Sequence, residues 1–361
     1  MPQTPLYAKH EALDASFTDF GGWTMPLKYA SELEEHRAVR NDTGIFDLSH
    51  MGEIDVKGPD AAAFLDYALI SNMSILKMGK AKYSMIVDDN GGIVDDLITY
   101  RFADDHFMVV PNAANINAVW AAFEARKGDF DVELRNDSEN IALVAVQGPK
   151  ALDVLKPLFD DDPSALEYYS GKWMTLRSDE GNVDVFVART GYTGEDGFEL
   201  FCANEDAANV WDAVIDHGTA CGLAARDSLR LEASMPLYGQ ELTADITPVE
   251  AGMGRAFAKK EADFVGKQAL TGREPSVVIA GLVSEQRRAA RAGSEVFLAG
   301  SDDKIGVVTS GQPSPTLGHP VALAHLDPAH AEPGTEVEID IRGRRYPFTI
   351  ATTPFYTRKD A

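Results

Sequence analysis

The composition of this chain changes near TGREPS at residues 271–276, and that change limits the folds open to it. Beyond it come short alternating segments, SVVIAGLVS, SEVFLAG, KIGVVTSG, PVALAHL, TEVEIDIRG and YPFTIATTPF, split by Gly, Pro and Ser. Strands at this spacing predict a separate all-β barrel or sandwich over residues 275–361.

Before the change, strand-like and helix-like runs alternate. KYASELEEHRAVRND, 28–42, predicts a surface helix with Leu33, His36 and Val39 or Arg40 on one side. GEIDVKG, 52–58, predicts a strand, and Pro59 then opens a helix, a position where its missing N–H costs nothing. Strands at 82–88, 92–102 and 106–111, a helix at 112–127 and strands near 130–136 and 141–147 complete an order resembling the split, ferredoxin-like arrangement. A second block, with VDVFVART, FELFCA and a helix at 205–217, runs to about residue 272. The fold class is therefore α+β. DVKGPDAAAFLDYAL and AVQGPKALDVLKPLF share a strand, Gly-Pro and an apolar helix; duplication or the convenience of Gly-Pro before a helix accounts for the echo.

Charge and cysteine content exclude several classes. Acidic residues outnumber basic ones 57 to 33, a net charge of −24 that disfavours nucleic acid and anionic membranes as partners. No apolar run approaches the roughly 20 residues of a membrane helix, and the first residues lack a signal pattern, so a cytoplasmic location is expected. Cys202 and Cys221 make no disulfide framework, and no histidine or cysteine spacing suggests a metal site, so no metal is expected.

Four stretches are candidates for chemistry. GGIVDDLITY, 91–100, sets Asp95 and Asp96 inside a run that otherwise reads as a buried strand. Side chains alternate across a strand, so the two carboxylates point to opposite sides. Such a group gains a partner or a raised pKa, unless this is a strand end with both aspartates in water. RTGYTGEDGFEL, 189–200, spaces its glycines G-x-x-G-x-x-G, and a strand follows Gly197 instead of the helix that a phosphate loop needs. A hairpin turn flanked by Tyr192 and Glu199 is expected, and a lone strand glutamate is most simply solvated. GLAARDSLRLEASMPLYG, 222–239, predicts a helix ended by Pro236. Arg226 and Arg230, four apart, form either a carboxylate-binding fork or exposed pairs with Asp227 and Glu232. EQRRAARAG, 285–293, is most simply a solvated basic loop.

Taken together and in order, eight stretches resemble one family. They are TPLYAKH, DFGGWTMPLKY, FDLSHMGEIDVKGPDA, NGGIVDDLITY, RTGYTGEDGFEL, LAARDSLRLEASMPLYGQEL, TPVEAGMG and TSGQPSPTLGHPVALAHL, and the likeness runs from residue 4 to about 356. The chain resembles the glycine cleavage system aminomethyltransferases, the T proteins. That resemblance implies a three-domain cloverleaf around a central folate channel. Residues 1–54 and 141–272 would form a discontinuous folate-binding domain, 55–140 a ferredoxin-like domain, and 275–361 a jelly-roll-like barrel. The implied reaction moves the aminomethyl group from the dihydrolipoyl arm of the H protein to tetrahydrofolate, giving 5,10-methylenetetrahydrofolate, ammonia and reduced carrier. Asp96 would face the pterin end of folate and serve the chemistry, while Glu199 would bond the pterin edge. Met51, Tyr83 and Tyr192 would line the channel, with Asn112 near the same pocket. Arg226 would meet the glutamyl carboxylates.

Two departures stand out. The sequence ends in PFYTRKDA, which leaves Tyr356 as the candidate for a C-terminal folate contact, and Ser234 stands where the family often has glycine. Two alternatives share the implied folate pocket: a tetrahydrofolate-dependent demethylase of a small methylated substrate, and a non-catalytic iron–sulfur maintenance protein. The latter group typically carries cysteine in KGCYxGQE, where this chain reads SMPLYGQE.

Overall fold

The computed structural model describes residues 1–178 and 180–358. The chain divides into two compact units: Met1–Ile86 with Asp95–Arg226 and Ala262–Phe264, and Val87–Val94 with Asp227–Glu261 and the residues from Val265 onward.

Among the described residues, the first unit holds a six-stranded and a five-stranded sheet. In the six-stranded sheet the strands run Gly171–Leu176, Val183–Ala188, Gly197–Ala203, Ile141–Gln147, Gly44–Asp47 and Thr219–Ala220. Ile141–Gln147, an almost unbroken apolar run, lies centrally between two antiparallel neighbours, where both of its faces are covered. Helix Ala207–Ile215 buries Ala207, Val210, Trp211 and Val214, a helical stripe packed on Val144, Val146, Phe198 and Leu200 of that sheet.

The five-stranded sheet runs Ala81–Val87, Ile93–Ala103, His106–Pro111, Ile54–Lys57 and Glu133–Asn136. Its last four strands have the order expected of the split arrangement, and Ala81–Val87 is an added edge. This edge meets the edge of the six-stranded sheet: Lys80 bridges Ser170, the Gly171 N–H donates to the Gly79 carbonyl at 2.9 Å, and the Ala81 N–H to the Tyr169 carbonyl at 2.9 Å.

Three local expectations shift. The helix expected over 28–42 spans Glu32–Asn41, because Lys28 ends the strand Trp23–Lys28 of a hairpin with Ser16–Phe20. Gly21 and Gly22, both at positive φ, make its tight turn, a signal that the residues of DFGGW carry. Leu33 is exposed, and the buried side of the helix is Glu35, His36, Val39 and Arg40. The helix expected to stop at Pro236 is Leu223–Glu232. Ser234 stands just beyond its end at φ +57°, the left-handed conformation that favours glycine at a helix end. There the Ser234 hydroxyl oxygen accepts the Phe355 N–H at 3.2 Å, a compensation that glycine lacks.

In the second unit, the six segments expected as strands are strands, and they close into a barrel. Alternate residues, among them Leu282, Val296, Val308, Ala322, Ala324, Ile339 and Ile350, fill its interior. Arg230 is buried in this unit against Asp227 at 2.8 Å, Glu241 at 2.8 Å and the Ser310 hydroxyl at 2.8 Å. Its pairing with Asp227 was expected, but burial in place of water makes it part of the core.

Candidate active site

The paired aspartates lie mid-strand in Ile93–Ala103, where burial alternates: Asp95 is wholly buried and Asp96 half-buried. The pairing of Leu97 with Pro111 on the next strand brings Asn112 alongside. Asp95 accepts the Asn112 backbone N–H at 2.8 Å, its side-chain amide at 2.9 Å and that of Asn115 at 2.7 Å. The same Asn112 amide donates to Asp96 Oδ1 at 2.9 Å and to the Asp96 carbonyl at 2.9 Å, and the Tyr83 hydroxyl donates to Asp96 Oδ2 at 3.0 Å. Neither aspartate is at a strand end in water. Burial pushes the Asp95 carboxyl up to about 7, helped by the charge of Asp96. Burial also lifts Asp96, to about 6, against the downward pull of Tyr83 and Asn112.

Glu199 is 8% exposed, so the solvated-strand expectation fails, although Phe198 and Leu200 do point the other way into the core. Its Oε2 accepts the Thr190 hydroxyl and, at 3.4 Å, that of Tyr100. Oε1 has no hydrogen bond among the described residues. Burial raises the Glu199 carboxyl, while Thr190, Arg226 and Tyr100 pull it down. The Arg226 guanidinium lies 4.8 Å from the centre of the Tyr192 ring, and burial lowers its pKa against the charge of Glu199. Tyr83 feels Asp96 and Tyr192, so its hydroxyl is held well above its ordinary range, with burial the main cause.

Two neighbours escaped the sequence reading. Tyr169 feels both Glu199 and Asp96, and burial raises its phenol. It sits at φ +57°, rare for a bulky side chain, with its N–H bonded to the Arg189 carbonyl at 3.0 Å. No residue pattern around it announces that conformation. His50 is 1% exposed and its Nδ1 is unbonded; burial and the Arg226 charge push its imidazole down to about 4. Only its place in FDLSHMG hinted at a role.

The motifs around the cluster are its frame. Thr4, His10 and the Ser49 N–H all converge on the buried Asp47 carboxylate, at 2.6, 2.8 and 2.9 Å, tying TPLYAKH to FDLSHMG. In RTGYTGEDGFEL, the buried amide of Gln147 donates to the Thr190 carbonyl at 3.0 Å and accepts the Thr193 hydroxyl at 3.0 Å. A Cβ at Gly191 would come within 2.0 Å of Gln147 Oε1. Gly191 and Gly197 therefore make room for this side chain, not for a phosphate. Gly191→Ala is expected to cost about 1–3 kcal/mol of stability, read as a lower urea midpoint; an unchanged midpoint would show that Gln147 yields freely.

Asp96, Tyr83, Asn112, Glu199, Tyr192 and Arg226 thus share one region of the first unit. Met51 lies on the turn after His50, its N–H bonded to the Leu48 carbonyl at 2.9 Å. Tyr356 belongs to the second unit, where its N–H donates to the Glu232 carbonyl at 2.8 Å. In the basic stretch, Arg288 lies over Tyr346 and Arg291 holds the Gly311 carbonyl at 2.6 Å. Among the described residues, no group of three or more His, Cys, Asp or Glu is arranged to hold a metal ion, and no helix is long and apolar enough to cross a membrane.

Comparison with known proteins decides the family. The GCVT N-terminal domain matches residues 6–261, and the glycine cleavage T-protein C-terminal barrel domain matches 278–357. The chain belongs to the glycine cleavage T-protein family. An aminomethyltransferase of Corynebacterium aurimucosum is 60% identical to it, over 98% of each chain. One of Streptomyces coelicolor is 50% identical, over 99% of this chain and 98% of its own. The crystal structure of the glycine cleavage system aminomethyltransferase T from Bartonella henselae superposes with a TM-score of 0.91 at 37% identity, over 98% of each chain. This T-protein family member is an aminomethyltransferase of the glycine cleavage system, and the demethylase and iron–sulfur alternatives fall away. The family uses tetrahydrofolate as co-substrate.

Proposed function

We propose that Asp96, Tyr83, Asn112 and Glu199 form the site where tetrahydrofolate receives the aminomethyl carbon from a lipoylated H protein. The observation that carries this reading is a pair of separately held carboxyls on an aromatic-walled surface: one near neutrality at Asp96, one at Glu199 with Oε1 unbonded. The edge of a pterin offers a planar row of N–H donors, which suits a carboxylate oxygen. Tyr83, Tyr169 and Tyr192 supply flat apolar faces for the ring system, and Met51 and Tyr356 are proposed as further contacts.

Tetrahydrofolate, when bound, supplies the nitrogens that take up the one-carbon unit. The chain does the rest. Tyr83 and Asn112 fix the Asp96 carboxylate from both oxygens, so its lone pairs hold one direction. A group titrating near 6 can receive a proton and return it at physiological pH. Glu199 orients the ligand, and the tyrosines exclude water. The products are 5,10-methylenetetrahydrofolate, ammonia and reduced carrier. The same proposal includes a cytoplasmic location and a division into 1–54 with 141–272, 55–140, and 275–361.

The test is aminomethyl transfer from loaded H protein to tetrahydrofolate, set against methyl transfer from small methylated donors. Glu199→Gln is expected to weaken tetrahydrofolate at least tenfold with a smaller change in kcat, since hydrogen bonds to charged groups are worth about 1.5–3 kcal/mol. An unchanged KM would remove Glu199 from the pterin edge. Arg226→Ala is expected to weaken polyglutamylated folate more than the pteroyl fragment. Equal losses would assign Arg226 to Glu199 and Tyr192 instead of the glutamyl tail.

A further inference from the structure

Glu53 lies just before strand Ile54–Lys57, 1% exposed, and neither of its carboxylate oxygens has a hydrogen bond among the described residues. Its backbone is fixed: the N–H donates to the Ser138 hydroxyl at 3.0 Å, and the carbonyl accepts the Asp137 N–H at 2.9 Å. The nearby guanidinium of Arg135 is committed elsewhere, to Asp137 at 2.7 Å and Asp55 at 3.9 Å. A buried carboxyl left without donors is costly, on the order of 1–3 kcal/mol. Burial, with the charge of Asp137, drives this one well above the ordinary carboxylate range.

Glu53 lines a cavity of about 350 Å³, within the size range of small-molecule sites. The walls are aromatic. Phe102 meets Phe186 edge-on at 4.7 Å, and Trp173, 55% exposed, lies 5.7 Å from Phe186. Tyr100 is edge-on to Phe186 at 5.3 Å and to Phe201 at 5.7 Å while its hydroxyl reaches Thr190 and Glu199, so a ring cluster separates this cavity from the Asp96 site. Glu53, Asp55 and Asp137 line the cavity together with Arg135 and His106; Asp55 is paired with His106 at 2.5 Å and Asp137 with Arg135, which leaves Glu53 as the acid without a partner among the described residues.

We propose that this cavity is a second ligand site, for a small organic cation: a primary ammonium on a compact apolar or aromatic body. Its N–H groups supply the donors that Glu53 lacks, and the ring faces attract the positive charge. A cation held against Glu53 favours its ionised form, whereas an anion there meets no free donor, so the site selects ammonium over carboxylates, folate-like ones included. The ring wall makes the site independent of the tetrahydrofolate cluster.

Calorimetric titration of the full chain with 2-phenylethylammonium chloride tests this, with 2-phenylethanol and 3-phenylpropanoate as neutral and anionic counterparts. The ammonium is expected to bind at least tenfold tighter than the alcohol, and the carboxylate not at all. Glu53→Gln is expected to cut ammonium affinity at least tenfold while leaving the alcohol unchanged. Trp173→Ala, at an exposed position and so safe for folding, is expected to weaken the ammonium severalfold. Saturating tetrahydrofolate is expected not to displace the probe. No binding at millimolar ammonium, equal affinity for ammonium and alcohol, indifference to Trp173→Ala, or displacement by tetrahydrofolate would each overturn the proposal.

Discussion

Asp96→Asn is expected to remove a pH-dependent loss of stability and, in the same molecule, to cut turnover at least tenfold. Folding lifts the Asp96 carboxyl from its ordinary 3.8 to about 6, chiefly through burial. The folded chain therefore keeps a proton that the unfolded chain has released. Stability falls as pH rises from about 4 to about 6, and the whole cost is present above that window. Two units correspond to roughly 3 kcal/mol at most, and partial exposure brings the expected figure to about 1–2 kcal/mol. An asparagine cannot ionise and keeps an oxygen for Tyr83, so it escapes this pH-dependent cost, while giving up the acceptor that Asp96 Oδ1 offers Asn112. From pH 4 to pH 8 the urea midpoint of the variant should gain on that of the parent by the equivalent of about 1–2 kcal/mol. Turnover suffers because an amide cannot accept a proton, and general acid–base groups contribute on the order of 10²–10⁴-fold. Wild-type turnover would end the catalytic role of Asp96; a pH-independent stability gain would mean that burial is not what lifts it.

Asn112→Ala should do damage of the opposite kind. One amide serves both carboxylates and the Asp96 carbonyl, so its loss leaves two adjacent buried acids short of a donor. Bonds of this charged type are worth about 1.5–3 kcal/mol, and the urea midpoint should drop accordingly. The Asn112 donors hold both pKa values down, so both carboxyls should climb further. The acid limb of the pH–rate profile should then move to higher pH. An acid limb that stays in place would show that Asp96 does not control it.

The barrel, the split sheet and the two acidic residues could be seen in the residues because each depends on local pattern. Alternation predicted the barrel strands, and the apolar residues around Asp95 and Asp96 predicted a strand with its two carboxylates on opposite sides, with their burial left open. What stayed hidden depends on long-range placement. Glu199 looks solvated from its neighbours alone, and only the packing of Tyr100 and Thr190 over it shows otherwise. Arg226 and Arg230 look like equivalent members of one helix, yet one stacks on Tyr192 and the other is buried against Glu241. Tyr169 owes its place to a backbone conformation that no side-chain pattern encodes. The glycines of 191–197 read as a turn, which Gly194 serves at φ +81°, but the reason for Gly191 and Gly197 is a glutamine more than forty positions away.

The bridge between Lys80 and Ser170, with its bonds from Gly171 to Gly79 and from Ala81 to Tyr169, ties together the starts of two edge strands. Each edge is held at that point by its neighbour, so neither sheet can peel away there without baring main-chain groups of the other. The sheets should accordingly melt in a single step, as one foldon, even though the chain between their edges wanders through some ninety residues before returning.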